Sequence, residues 1–137
     1  YCQIMVESVK NENVQNYGIV DIGGEDPEPF FGKDIKKLVE KPLPVNSPSN
    51  LAILGRYILP PEIMELLENT KEGVGSEIQL TDALDEFLSN GNLNAFYSTA
   101  SIFDCGSKKG FIAANFVLGM RDPDISKLLR NLIKTLN

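Results

Sequence analysis

The sequence contains no histidine, and that one absence removes the serine–histidine and cysteine–histidine triads and imidazole-ligated zinc. Any chemistry must run on carboxylates, lysines, backbone dipoles or a hard metal. Cysteine is scarce too. Cys2 and Cys105 stand far apart, make no CxxC pair and suit a reducing compartment better than a disulfide framework, so the cytosol is the expected location. No apolar run reaches the roughly 18 residues of a membrane span, and no signal-peptide pattern opens the chain. Basic residues are outnumbered, 13 Lys and Arg against 19 Asp and Glu. The resulting net charge of −6 argues against a broad basic patch, so neither nucleic acid nor an anionic membrane is an expected partner. An anionic small molecule would need a few locally placed cations.

What is present is ordinary for a globular domain. With 137 residues, 42% apolar and 23% charged, the chain is long enough for one sizeable core, and residues 1–137 are expected to form a single unit. It begins on Tyr1 with the apolar "IMV" close behind, and so reads as a piece of a longer protein.

Strand and helix signals alternate. "CQIMVESV" and "NYGIVDI" are β-branched and short, and "FFGKDIKKLVEKP" comes next as one further strand after the turn-rich "GGEDPEP", which predicts a hairpin with a mobile tip. "PLPVNSPSN", with three prolines, is an ordered loop. "NLAILGRYILP" reads as a buried strand, and Pro60-Pro61 would open a helix carrying Ile63, Leu66 and Leu67 on one face. "GSEIQLTDALDEFLSNG" predicts a helix with Ser76 and Gln79 at capping-box spacing, Thr81 as a rival start and Gly91 closing it. "NLNAFYS" is a strand. "SIFDCGSKKGFIAANFVLGM" places Asp104 at a strand end, Gly106 in a turn and Ser107 as the cap of a helix bearing Phe111, Ala114 and Leu118. In the tail, Ile125, Leu128, Leu129, Leu132, Ile133 and Leu136 form one helical stripe that must be buried, either on the domain itself or on another subunit. The whole is an α/β fold, its sheet mixed because of the early hairpin and flanked by helices.

In open α/β sheets ligands gather beyond the carboxyl ends of strands, and Glu40-Lys41 and Asp104 are predicted at such ends. A carboxylate accepts from two neighbouring hydroxyls and an ammonium neutralises phosphate, so Glu40 and Lys41 together could grip a sugar phosphate. An isolated Glu-Lys-Pro reads first as a strand that ends at solvent with two exposed charges.

The ordered set "YGIV", "LVEKP", "SNLAILGRY", "GSEIQLTDAL" and "FDCGSKKGF" resembles the carboxyl-terminal half of the bacterial UTP:glucose-1-phosphate uridylyltransferases, within the sugar-nucleotide pyrophosphorylase superfamily. The resemblance covers nearly the whole chain. "EKP" and the Asp-x-Gly are shared across that superfamily, whereas "EIQLTDA", "YGIV" and "DCGSK" point to the uridylyltransferase branch. It implies the carboxyl-terminal part of a Rossmann-like nucleotidyltransferase fold. It also implies a reaction of glucose 1-phosphate with UTP that gives UDP-glucose and pyrophosphate with Mg2+, an in-line transfer that needs no histidine. A homo-oligomer is expected for the full-length form. By the same resemblance Gly18 lets backbone approach the sugar, Glu40 grips sugar hydroxyls, Lys41 contacts phosphate and is the catalytic residue, Ile53 packs on the sugar ring, and Asp104 is one metal ligand.

Each position also has a plainer reading. Gly18 relieves a strand bulge, Ile53 is core and Asp104 bonds its own turn; Lys108 and Lys109 could assist a phosphate but read more simply as solvated charges opposing a helix dipole, and Gln79 and Thr81 could reach the sugar, yet helix capping explains both at least as well. The departure from the family is large, because nothing here matches the glycine-rich nucleotide loop of its amino-terminal half: "IGGED" leads into acidic residues and prolines. The fragment alone is therefore expected to be inactive. The alternatives are a noncatalytic sugar-phosphate-binding or assembly module and a related transferase using another nucleotide.

Overall fold

The computed structural model describes residues 2–24, 32–98 and 100–136, with Val74 described for its backbone alone. Contacts within the chain group it into two compact units, Tyr1–Thr99 and Ala100–Asn137.

The first unit is built on six strands: β1 (Cys2–Ser8), β2 (Gly18–Asp21), β3 (Gly32–Asp34), β4 (Lys37–Glu40), β5 (Leu51–Ile58) and β6 (Leu93–Tyr97). They form one sheet in the order β3-β6-β1-β5-β2-β4. Only β1 and β6 run parallel, and the other pairs are antiparallel, so the sheet is mixed as the hairpin predicts. The return arm of that hairpin is β4, which pairs with β2 through Ile19 opposite Val39 and Val20 opposite Leu38. The hairpin tip, residues 25–31, lies outside the described residues.

The expected single strand through "GKDIKKLVE" is two strands at opposite edges of the sheet. β3 joins β6, with Lys33 opposite Ala95, while β4 joins β2. Between them the amide of Ile35 donates to the carbonyl of Leu93 at 2.8 Å and that of Lys36 to the carbonyl of Asp21 at 2.7 Å. The break comes at Ile35, which turns into the core at 4% exposure.

The period-two pattern buries both faces of β2. Val20 joins the main core with Ile4, Val6, Leu51, Ile63, Leu84 and Leu93. Ile19 turns the other way, to Ala52 and to Val14 on a short 3-10 helix, Asn11–Asn16. β5 is buried only over its first half. The register slips between Ile4–Tyr57 and Val6–Ile53, a bulge at which Gly55 takes a φ of 64°, and beyond it Arg56 and Ile58 are exposed.

Helix α1 (Glu62–Asn69) follows Pro60-Pro61 as expected and buries Ile63, with Leu66 and Leu67 packed on the core. Helix α2 (Leu80–Phe87) starts later than the capping-box spacing predicts. Ser76 sits at φ 57°, not the extended backbone an N-cap needs, and residues 72–78 form a small loop closed by Gly73 N–H to the Glu77 carbonyl at 2.9 Å and a bridge from Glu72 to Ile78. The rival start at Thr81 lies nearer the true one. α2 packs on β4 and α1 on α2. The outward amide of Leu38, on an edge strand, would lack a partner; it donates to Oδ1 of Asp85 on α2 at 2.7 Å.

In the second unit Asp104 precedes a turn and, among the described residues, residues 101–104 form no strand, contrary to expectation. Ser107 does cap α3 (Lys108–Arg121), its hydroxyl accepting from the Gly110 amide at 3.0 Å. Asp122 caps α4 (Pro123–Thr135) through the amides of Asp124 and Ile125, both at 3.0 Å. The two helices pack against each other, with Ile125 and Leu129 against Gly119. Ala114 is buried, whereas Phe111, Leu118, Ile125, Leu128, Leu132, Ile133 and Leu136 are exposed. No helix among the described residues is long and apolar enough to cross a membrane.

Removing the Asp85 carboxylate leaves the Leu38 amide without its partner and unlatches α2 from β4. We expect Asp85→Ala to lower unfolding stability by about 1–3 kcal/mol in urea titrations. An unchanged midpoint would mean that water replaces the carboxylate at no cost.

Candidate functional site

Strand β4 ends at Glu40 because the next two residues cannot extend it. The Lys41 amide closes the ladder on the Tyr17 carbonyl at 3.0 Å, and Lys41 then turns at φ 43°. Pro42 behind it disfavours the right-handed helical region at Lys41 and has no amide to donate. A left-handed lysine costs roughly 1–2 kcal/mol. Strain of this kind collects at functional sites, and no sequence pattern announces it.

The two charges differ in environment. The Glu40 side chain is 11% exposed and that of Lys41 40%, with Nζ 3.6 Å from Oε1. A strand end with two exposed charges therefore does not describe Glu40. Its other oxygen, Oε2, accepts a 2.6 Å hydrogen bond from the hydroxyl of Thr81, in the first turn of α2. Thr81 is the one buried polar side chain among the described residues.

Gly18 stands directly opposite Glu40 across the β2–β4 ladder, in regular pairing rather than at a bulge. Its lack of a side chain is a matter of space. A Cβ there would fall 2.8 Å from the Thr81 hydroxyl oxygen, 3.0 Å from Glu40 Oε2 and 3.0 Å from Ile53 Cδ1. Those distances bring Gly18, Glu40 and Ile53 to one point, with Lys41 adjoining. Ile53 is at once a member of the main core and a neighbour of this carboxylate.

From the sequence, Thr81 and Gln79 could either reach the sugar or cap the helix. Gln79 does hold the N-cap position, but neither side chain caps α2. The Gln79 amide group reaches Glu77 at 3.4 Å. The signal that could have singled out Thr81 is a threonine inside an amphipathic helix start, on the face that carries Leu80 and Leu84.

Two neighbours register the carboxylate at the centre. Burial, and then repulsion by Glu40, push the Tyr57 phenol above its ordinary value. Desolvation, then Glu40 and then Asp85 raise the Asp82 carboxyl, even though Asp82 as a whole residue is exposed.

Asp104 lies in the second unit and is exposed. Its Oδ1 accepts from the Gly106 amide at 2.9 Å, the turn geometry of the plainer reading. Lys108 and Lys109 are the first two residues of α3 and are exposed. Among the described residues no group of three or more acidic or cysteine side chains is placed to hold a metal ion. One carboxylate does not satisfy an octahedral hard cation, so these residues by themselves do not fit a magnesium site.

The Tyr57 shift has a definite sign. Because the folded state disfavours the phenolate, stability is unaffected below the unfolded value near 10 and is lost as pH rises above it. In an absorbance titration one tyrosine should ionise late. Tyr57→Phe removes that step, and Glu40→Gln moves it partway down; a late step that survives Tyr57→Phe would assign it to another residue.

Known proteins share this architecture. UTP--glucose-1-phosphate uridylyltransferase of Haemophilus influenzae is 43% identical over 134 residues, 98% of this chain and 45% of that protein. The structure of UTP-bound UGPase from Acinetobacter baumannii matches with a TM-score of 0.84 at 40% identity, over 99% of this chain and 46% of its own. A UDP-glucose pyrophosphorylase complexed with UDP-glucose matches with a TM-score of 0.80 at 39% identity, over 88% and 45%. The chain thus spans just under half the length of these relatives, and its mixed sheet with flanking helices has their α/β architecture. Residues 1–119 match the model of the nucleotidyl transferase family, and the chain belongs to that family.

Proposed function

We propose that the chain is the sugar-phosphate-binding, carboxyl-terminal half of a UTP:glucose-1-phosphate uridylyltransferase. The observation that carries this reading is the convergence of Gly18, Glu40 and Ile53 beside Lys41 at the end of β4. A nearly buried carboxylate beside a partly exposed ammonium suits a ligand with hydroxyls at one end and a phosphate at the other. The relatives named for this activity support the choice of substrates.

In this reading a phosphate oxygen of glucose 1-phosphate attacks the α-phosphorus of UTP, the bond to the β-phosphate oxygen breaks, and pyrophosphate leaves. No protein nucleophile is needed. Glu40 accepts from the sugar hydroxyls, Gly18 lets backbone approach the sugar, and Ile53 packs on its ring. Lys41 neutralises phosphate charge that redistributes during transfer. Asp104 would supply one oxygen to a magnesium ion, whose remaining ligands would come from outside these residues.

Steady-state kinetics on the full-length protein with a panel of hexose 1-phosphates tests the assignment. Lys41→Ala should lower turnover roughly ten- to a hundredfold, more than Glu40→Gln, since a charge-assisted bond is worth about 1.5–3 kcal/mol. The 137-residue chain alone should release no pyrophosphate in the same assay. Wild-type turnover by Lys41→Ala, or turnover by the short chain, would defeat the proposal.

The homo-oligomer belongs to the same proposal, through the stripe on α4 and its C-cap, where Ile125, Leu128, Leu132, Ile133 and Leu136 are exposed. Light scattering of the full-length protein lacking residues 124–137 should show a smaller assembly. A folded variant of unchanged mass would rule out this contact.

A further inference from the structure

We propose that Thr81 is a positioning residue for sugar recognition: its hydroxyl holds Oε2 of Glu40 in place, so that the lone pairs left on that carboxylate meet sugar hydroxyls in set directions. This rests on the reading of Glu40 as the sugar-binding group.

A glutamate carboxylate turns easily about its last torsion, where the energy wells are broad and two-fold. Burial does not by itself stop that rotation. A directional bond does, and the Thr81 hydroxyl supplies one to Glu40 Oε2 at 2.6 Å. Lys41, at 3.6 Å from Oε1, is a charge neighbour with a flexible stem and sets no direction.

The placement of Thr81 points the same way. In the first turn of a helix, a threonine hydroxyl ordinarily serves its own backbone. Here α2 has no side-chain cap, and the Thr81 hydroxyl donates instead to a residue 41 positions away in sequence. The hydroxyl is carried on a residue 6% exposed, so it has little access to water as an alternative partner. Gly18 keeps the space open, since any Cβ there would press on both the Thr81 oxygen and Glu40 Oε2. The helix is tied to the strand end a second time by Asp85 on the Leu38 amide, so donor and acceptor ride on elements that cannot drift apart.

A carboxylate fixed in this way discriminates by geometry. It should accept from a sugar whose adjacent hydroxyls match the remaining lone pairs and lose less when those hydroxyls are removed or inverted after Thr81 is changed.

The test is run on the full-length protein with Thr81→Val, which keeps the shape and deletes the hydroxyl, and Thr81→Ser, which restores it. Thr81→Val should raise KM for glucose 1-phosphate about tenfold with KM for UTP unchanged, and should narrow the preference over deoxy and epimeric sugar phosphates. Thr81→Ser should return to within about twofold of wild type. In a Glu40→Ala background Thr81→Val should have no further effect. Wild-type KM in Thr81→Val, equal shifts for both substrates, or the same shift without Glu40 would each overturn the role. The late tyrosine step supplies a readout that needs no substrate: Thr81→Val frees the carboxylate and moves the Tyr57 step, whereas Thr81→Ser leaves it in place. If the wild-type protein used no hexose 1-phosphate, the functional reading would fall and this titration would still decide the positioning. A Tyr57 step unmoved in Thr81→Val would overturn it.

Discussion

Two residues, Ile35 and Lys36, join strands at opposite edges of a six-stranded sheet, and that short link constrains everything else in the first unit. Three Cα steps from Asp34 to Lys37 span at most about 11 Å. Five inter-strand spacings in a flat sheet would put the same edges roughly 24 Å apart. The sheet must curl until its edges approach. Curling encloses Ile4, Val6, Leu51 and Leu93 on the concave side, and Ile35 itself closes the gap. The right-handed twist and the bulge at Gly55 help supply the curvature.

The candidate site depends on that curl. β4 is held on one side by β2 and on the other by Asp85 of α2, so its carboxyl end, where Glu40 stands, is fixed against the start of the helix. A buried, uncompensated carboxylate would cost on the order of several kcal/mol. Thr81 and Lys41 offset this from two sides while leaving the carboxylate partly accessible. The same enclosure raises the Tyr57 phenol and the Asp82 carboxyl, through desolvation first and the Glu40 charge second. Stability and candidate function thus draw on one arrangement: strand end, helix start and glycine gap.

Much of the fold was legible because it rests on local signals. Short β-branched runs marked β1 and β2, Pro60-Pro61 marked the start of α1, and Ser107 marked that of α3. Errors arose where local and distant preferences compete. Ser76 and Gln79 have capping-box spacing, yet Ser76 is turned to a positive φ by a loop closed between Gly73 and Glu77. Lys33 to Glu40 reads as one strand, yet its two ends have different partners. Phe111, Ala114 and Leu118 fall on one helical period, yet of the three only Ala114 is buried.

By itself the sequence determined the chemistry on offer: no imidazole, an excess of carboxylate, and a Glu-Lys pair stopped by proline, in an order of motifs that resembles one family. Those facts depend on residue identity and on spacing of a few positions, which the chain carries wherever it goes. Only the tertiary structure decided that Glu40 is nearly buried and Lys41 is not, that Thr81 serves Glu40 rather than its own helix, and that Gly18 is needed for room rather than for a bulge. These are relations between residues tens of positions apart. They exist only once the strand register and the packing of α2 on β4 have been set, because burial and hydrogen-bond partners belong to the enclosing environment and not to the residue.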